Sequence, residues 1–217
     1  MNDIWHYYRD NQSAIWHYTW TTFWLAGGAL VVGLLVALPI GWFASRFRWT
    51  YPPVVTLAGI VYTIPSIVLF LALPGLIGTE ILAPINVGIA LTAYTVALLV
   101  RVVADALSAV DQDTLSAASA MGYTRRQRLF GVQLPLSVPV VGAGLRVAAV
   151  SNVSLVSVAS IIAVPQLGSL FTDGYHLNTL APIFVGLIFV IVLALLLDGV
   201  ILLVTRVLTP WQRAARG

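Results

Sequence analysis

The sequence predicts an all-α membrane protein of about five transmembrane helices, with its N-terminus outside the cell and its C-terminus in the cytoplasm. Composition is the first reason. Of 217 residues, 59% are hydrophobic and only 9% are charged, and the mean hydropathy is +0.95, whereas about a quarter of the residues in a soluble domain are charged. The second reason is the length of the apolar runs. Several cover the roughly 20 residues that cross a hydrocarbon core of about 30 Å at about 1.5 Å per residue. The third is the placement of arginine: the chain has no lysine, and eight of its eleven arginines follow the first, third or fifth apolar run. Cysteine is absent, which excludes disulfides and thiolate metal sites.

Residues 1–24 are expected to form an extracytoplasmic or interfacial segment. Trp5-His6-Tyr7 and Trp16-His17-Tyr18 repeat after eleven residues, close to three helical turns, which would place both triplets on one helix face. Such side chains anchor a helix in the membrane interface; a ligand-binding aromatic site is the alternative. The segment has no apolar core between a basic start and a small-residue cleavage site, so no removable signal peptide is expected.

The transmembrane domain is expected over 25–210, with spans at 25–43, 54–73, 85–103, 137–164 and 181–204. Pro65 removes a backbone hydrogen bond from the second span, so that helix is built to bend. The fourth span is overlong and is expected to break near Ser151-Asn152. No polar loop divides it, so it counts as one tilted or kinked helix. Arg46 and Arg48 follow the first span, Arg125, Arg126 and Arg128 the third, and Arg206, Arg213 and Arg216 the fifth. The opposite connections contain no arginine and the N-terminal segment only Arg9, so the positive-inside rule sets the orientation. Residues 211–217 are then a cytoplasmic tail.

Between the third and fourth spans lies a long cytoplasmic connection, about 105–135. Its small, polar and charged residues fit two short helices lying across the membrane face. Gly122 permits a left-handed turn between them, Thr124 releases the second, and Pro135 is expected to stop it. Ser116-Ala117-Ala118, three residues, Gly122, nine residues, Val132, Gln133 and Leu134-Pro135 reproduce the spacing of a known motif. This is the EAA loop of the membrane subunits of bacterial ABC importers: E-A-A, three residues, G, nine residues, I, one residue, L-P. Serine replaces the glutamate and valine the isoleucine. An ordinary positive loop explains the arginines but not this spacing.

The order of Ala-Ser-Arg-Phe-Arg after the first span, a Pro-Pro turn, Tyr62-Thr63-Ile64-Pro65-Ser66, Arg101, and Gly144-Leu145-Arg146 resembles the permeases that import glycine betaine, choline, carnitine and related osmoprotectants. The resemblance implies a type I ABC importer permease fold in a bacterial or archaeal cell membrane. Ser116, Ala117, Ala118, Gly122, Arg125, Arg126, Arg128, Leu134 and Pro135 would then couple the subunit to an ABC ATPase. Ala117, Ala118 and Ala120 allow close approach, and the arginines can meet acidic surface. A separate extracytoplasmic binding protein would deliver the solute. A second permease, identical or a sister chain, would complete the path, because five spans do not enclose one alone. An importer of an amino acid, methionine-type, shares the same core and is the alternative.

Polar residues inside the spans are costly in lipid and mark candidate pathways. Tyr62, Thr63, Pro65, Ser66, Tyr94 and Asn152 are the candidates. Ser151, Asn152, Ser154 and Ser157 give the fourth span a polar stripe that either lines a pathway or packs helices. No aromatic cage for a cation can be read from spacing. Arg146 and Asp198 lie at matching depths, each roughly 12 to 14 Å from the cytoplasmic surface, which suggests an ion pair. Snorkelling of Arg146, or its pairing with Asp105, are the rivals.

The chain has no phosphate-binding G-x-x-x-x-G-K-[ST] loop, so no cofactor is expected in it, and ATP and Mg belong to the partner ATPase. Enzyme chemistry is disfavoured: the only histidines, His6, His17 and His176, are all expected outside, and neither H-E-x-x-H nor G-x-S-x-G occurs. No metal site and no nucleic-acid partner are expected, whereas membrane lipid is. An ATP-independent channel remains the other alternative, although it would not need an ATPase-docking loop.

Overall fold

The structure is a computed structural model that describes residues 2–47, 49–80 and 83–211. Arg48, Arg213 and Arg216, used above for orientation, and the tail beyond Trp211 lie outside the described residues. The helices are α1 (Asn2–Asp10), α2 (Gln12–Arg46), α3 (Tyr51–Thr63), α4 (Ser66–Ile77), α5 (Pro84–Ser108), α6 (Gln112–Ala120), α7 (Arg125–Arg128), α8 (Leu134–Val158), α9 (Ser169–His176) and α10 (Leu180–Leu208). Among the described residues there are no strands. Four helical stretches are long and apolar enough to cross a membrane, or five when the bent α3–α4 pair counts as one span.

The N-terminal segment differs from expectation. Asn11 interrupts the helix with φ −118° and ψ 19°, and its side-chain amide donates to the Tyr7 carbonyl at 3.0 Å. A short polar side chain that competes for the backbone in this way favours a break. The two aromatic triplets therefore sit on two successive helices divided at Asn11. Helix α1 folds onto α10, where Tyr8 stacks on Phe189 at 6.0 Å and Trp16 meets the same ring edge-on at 5.9 Å. Meanwhile α2 runs unbroken for 35 residues, through position 24 and past Pro39.

Helices α2, α5 and α8 form the packed centre. Gly33 faces Thr95 and Gly41 faces Val103, an equal offset at both points, so α2 and α5 run parallel. A Cβ on Gly41 would lie 2.7 Å from the Val103 Cβ and 2.9 Å from the Val100 carbonyl oxygen. Small residues let backbones close up where lipid provides no hydrophobic drive between helices. Ala26, Ala29, Ala37 and Ala44 of α2 and Ala90, Ala97 and Ala104 of α5 are buried at the same seam. α8 packs antiparallel to α5, pairing Gly144 with Val102 and Asn152 with Thr95. It is also antiparallel to α10, pairing Gly142 with Thr205 and Arg146 with Asp198. The outer face of α10 remains exposed at Leu195, Leu196 and Leu203, as suits contact with lipid.

Two spans depart from straight helices. The second, expected over 54–73, is two short helices bent by 102°. Pro65 carries no N–H, and Ile64 before it takes the extended conformation (φ −67°, ψ 127°) that a following proline imposes. The fourth does not break at Ser151-Asn152; α8 continues to Val158 and passes into a 3₁₀ turn over Ala159–Ile162. Asn152 finds partners on other helices, so it does not compete with its own backbone. The chain turns at Ala163, where φ is 58°.

Candidate functional site

The connection between α5 and α8 holds its shape through local hydrogen bonds. Asp111 caps α6, its carboxylate accepting from the Asp113 N–H at 3.3 Å. At the other end Gly122 takes φ +85°, its N–H donates to Ser119 O at 3.0 Å, and Tyr123 N–H donates to Ala118 O at 3.1 Å. This pair of bonds closes a helix through a left-handed residue, which glycine adopts without a Cβ clash. Thr124 then opens α7 with a reciprocal cap: the Gln127 N–H donates to Thr124 Oγ1 at 3.4 Å, and the Thr124 N–H to Gln127 Oε1 at 2.8 Å. Arg128 Nη1 donates to Ser119 Oγ at 2.6 Å and ties the two helices together.

Pro135 does not stop the second helix. A π-turn over Leu129–Gln133 carries the chain from α7 into α8, and the Leu134 N–H donates to Leu129 O, five residues back. The wider turn accommodates a proline ring that would clash in an α-helix. Pro135 therefore sits in the first turn of α8, where its missing N–H costs little.

Of the motif residues, Ala118 is buried, with α6 packed on α7 and the turn that follows it, while Ser116, Ala117 and Ala120 are exposed and Leu134 and Pro135 half-buried. Met121 and Phe130 are 70% and 68% exposed beside them. Sequence reasoning passed over both, because a lone apolar residue in a loop carries no periodic signal. Beneath the loop, a cleft of about 860 Å³ opens between the ends of α2 and α5 and the two short helices. Ser116, Arg46, Arg125, Arg126 and Arg128 line it.

A second cleft, of about 380 Å³, lies at the bend between α3 and α4. Tyr62, Ile64, Ser66, Tyr94, Ser151 and Ser154 line it. The Tyr62 and Tyr94 rings meet edge-on at 5.9 Å, and the Tyr94 hydroxyl donates to the Ile64 carbonyl. That carbonyl is free because Val68, its partner in an unbroken helix, donates to Pro65 O instead. Thr63 Oγ1 donates to Ile60 O at 2.7 Å, and neither Thr63 nor Pro65 is among the lining residues.

Asn152 faces the other way. It is 1% exposed, and its Nδ2 donates to Thr95 Oγ1 at 2.9 Å and to Ala26 O at 3.3 Å, joining α8 to α5 and α2. Asn152 is thus packed between helices, and Ser151 and Ser154 are the part of the stripe that faces the second cleft.

Arg146 Nε donates to Asp198 Oδ1 at 2.6 Å and Nη2 to Oδ2 at 2.8 Å, a two-pronged bond between α8 and α10. Asp105 is occupied elsewhere, by Arg101 at 3.6 Å and by the Tyr51 hydroxyl at 2.6 Å.

Residues 19–209 match the family described as binding-protein-dependent transport system inner membrane component. The chain is 31% identical to the osmoprotectant import permease protein OsmW of Salmonella typhimurium, over 96% of this chain and 98% of that one. It is 26% identical to the glycine betaine/carnitine/choline transport system permease protein OpuCB of Bacillus subtilis, over 97% and 95% of the two chains. The carnitine transport permease protein OpuCD of Listeria monocytogenes is 27% identical, over 94% and 91%. Among solved structures, the fold matches a chain of the MetNI methionine ABC transporter in an inward-facing conformation. The TM-score is 0.82 at 19% identity, over 92% of this chain and 98% of that one.

Proposed function

Since the chain belongs to the binding-protein-dependent transport system inner membrane components and is the permease subunit of an ABC importer, we propose that it carries a small osmoprotectant such as glycine betaine, choline or carnitine. The observation that carries this reading is the near full-length similarity to permeases named for those solutes. The likeness to a methionine transporter is one of fold alone and does not favour an amino acid.

The subunit spans a bacterial or archaeal cell membrane with its N-terminus outside. The α6–Gly122–α7 unit is the seat of an ABC ATPase that holds ATP and Mg. Ala117, Ala120, Met121 and Phe130 supply a small and apolar contact surface on that unit. Gly122 sets its angle, and Leu134 and Pro135 lead the contact into α8. The cleft at the bend is this subunit's share of the pathway. Tyr62, braced edge-on by the buried Tyr94, offers a ring face to a quaternary ammonium group, a cation that aromatic faces attract, and Ser66, Ser151 and Ser154 supply hydroxyls. Tyr62 is 45% exposed, leaving one side of the cleft to a second permease subunit. A separate extracytoplasmic binding protein delivers the solute.

The test is uptake into proteoliposomes holding the permease, its ATPase and its binding protein, with radiolabelled glycine betaine, choline, carnitine and methionine. ATP-dependent uptake of at least one quaternary ammonium compound and none of methionine is expected. Uptake of methionine alone would move the reading to an amino-acid importer, and flux without ATP to a channel.

A further inference from the structure

The loop arginines expected from the sequence to meet acidic surface on the ATPase line the cleft beneath the loop, which Met121 and Phe130 do not. Its lining holds four arginines, Arg46, Arg125, Arg126 and Arg128, and no carboxylate. Asp111 and Asp113 stand at the start of α6, but neither lines it. Arg128 is engaged by Ser119, and the Arg46 guanidinium lies 5.9 Å from the Phe47 ring centroid. Among the described residues Arg46, Arg125 and Arg126 have no hydrogen-bond acceptor and no ion-pair partner. Three arginines thus line one opening with no carboxylate among the lining residues, an arrangement that attracts an anion.

The position of the cleft narrows the choice of anion. Arg46 is the last residue of α2, so it stands where an apolar span gives way to polar surface. Above it, Val32, Leu35, Val36 and Phe43 form an exposed apolar lane along α2 that ends at the cleft, and Trp42 lines the cleft itself. Indole side chains favour the headgroup level of a bilayer, and basic pockets at the cytoplasmic end of membrane helices suit anionic headgroups. A two-part ligand fits this surface: acyl chains along α2, and a phosphate among the arginines in charge-assisted, fork-shaped hydrogen bonds.

We propose that this cleft holds the phosphate of an anionic phospholipid, making the loop between α5 and α8 responsive to the charge of the membrane. The proposal rests on the reading that α2 and α5 end at the cytoplasmic face. A lipid phosphate here touches α2, α6 and α7 together, and so braces the loop against the bundle from the side away from Met121.

The test uses the purified full-length permease without ATPase, in detergent, with palmitoyl-oleoyl phosphatidylglycerol or phosphatidylcholine, and reads bound lipid by native mass spectrometry. Phosphatidylglycerol should be retained over phosphatidylcholine and released as salt rises. The combined Arg46→Gln, Arg125→Gln and Arg126→Gln variant should lose affinity roughly a hundredfold, since each basic residue near a charged headgroup contributes roughly fivefold. The matching triple Arg→Lys variant, which keeps the charge, should retain most of the binding. If the glutamine variant does not fold, the salt response of wild type and of the lysine variant decides the matter.

Equal retention of both lipids by wild type, or undiminished phosphatidylglycerol on a folded glutamine variant, overturns the proposal. Displacement by millimolar inorganic phosphate assigns the cleft to a free anion, and displacement by added ATPase assigns it to protein; either overturns the lipid. Because the assay contains no ATPase, failed lipid retention beside intact ATP-driven uptake sinks the lipid site alone. Lost uptake beside intact lipid retention sinks the transport reading alone.

Discussion

The packed centre of α2, α5 and α8 and the α6–α7 loop keep their shapes by opposite means. In the centre, order resides in side chains that meet across helices: Gly41 under Val103, and Asn152 between Thr95 and Ala26. In the loop, order resides in the backbone, through the Gly122 turn and the Thr124–Gln127 cap, with Ala118 the one fully buried side chain of α6. A region that must not move is held by packing, which is cooperative and intolerant of volume change. A loop folded in advance by local caps keeps its surface free, and with the ATPase seated on it as proposed little ordering entropy would be lost on contact.

The contrast can be broken most severely at Gly41. In Gly41→Leu the new side chain meets the Val100 carbonyl as well as Val103, and backbone cannot step aside. Overpacking of this kind costs about 1–3 kcal/mol or more. Membrane abundance and thermal midpoint should both fall sharply, with partial rescue by Val103→Ala. A Gly41→Leu subunit with the wild-type midpoint would show that the seam is not close-packed.

A smaller loss is expected at the clasp between α8 and α10. Arg146→Gln or Asp198→Asn each strands a charge and should lower the thermal midpoint, while Arg146→Asp combined with Asp198→Arg should recover part of it. A swap no better than the worse single variant removes the pair from the account of stability.

At Gly122 the effect should change in kind. Valine at a positive φ carries strain of about 1–3 kcal/mol, confined to the loop. Gly122→Val should therefore leave membrane abundance and midpoint unchanged while ATPase co-purification and uptake fall together. Full uptake with full ATPase association would mean the loop is not the seat. The smallest effect is at Thr124, where alanine removes one cap worth about 1 kcal/mol. Faster amide hydrogen exchange across α7 is expected, with no change in the midpoint.

Much of this was legible in the residues. The turn at Gly122 follows from a glycine between two short helical patterns. Arg146 and Asp198 could be set at one depth by counting along two spans, and the two side chains meet. What stayed hidden depends on phase and on partners. Successive helix positions lie about 100° apart, so Asn152 and Ser151 look alike in sequence, yet one is sealed in the core and the other opens on the cleft. A proline announces a disturbance but not its form. Pro65 yields a 102° bend, whereas Pro135 sits in a continuous helix because the turn before it widens. At Asn11 the eleven-residue repeat suggested one helix, and a single non-helical residue divides it into two.

The π-turn before Pro135 has a mechanical consequence. It leaves Arg125–Ile162 as one helical stretch of 38 residues, roughly 57 Å long at 1.5 Å per residue. On the opposite side of the loop, residues 109–111 are not helical and join α5 to α6 through a turn. One end of the loop thus continues into a long helix, and the helix is interrupted at the other. With the ATPase seated as proposed, a push on α7 would enter α8 directly and reach α5 only through the turn. The same helix carries the Ser151–Ser154 wall of the second cleft about 26 residues from Arg125, so on that proposal a small rotation at Arg125 would become a sideways swing of the wall.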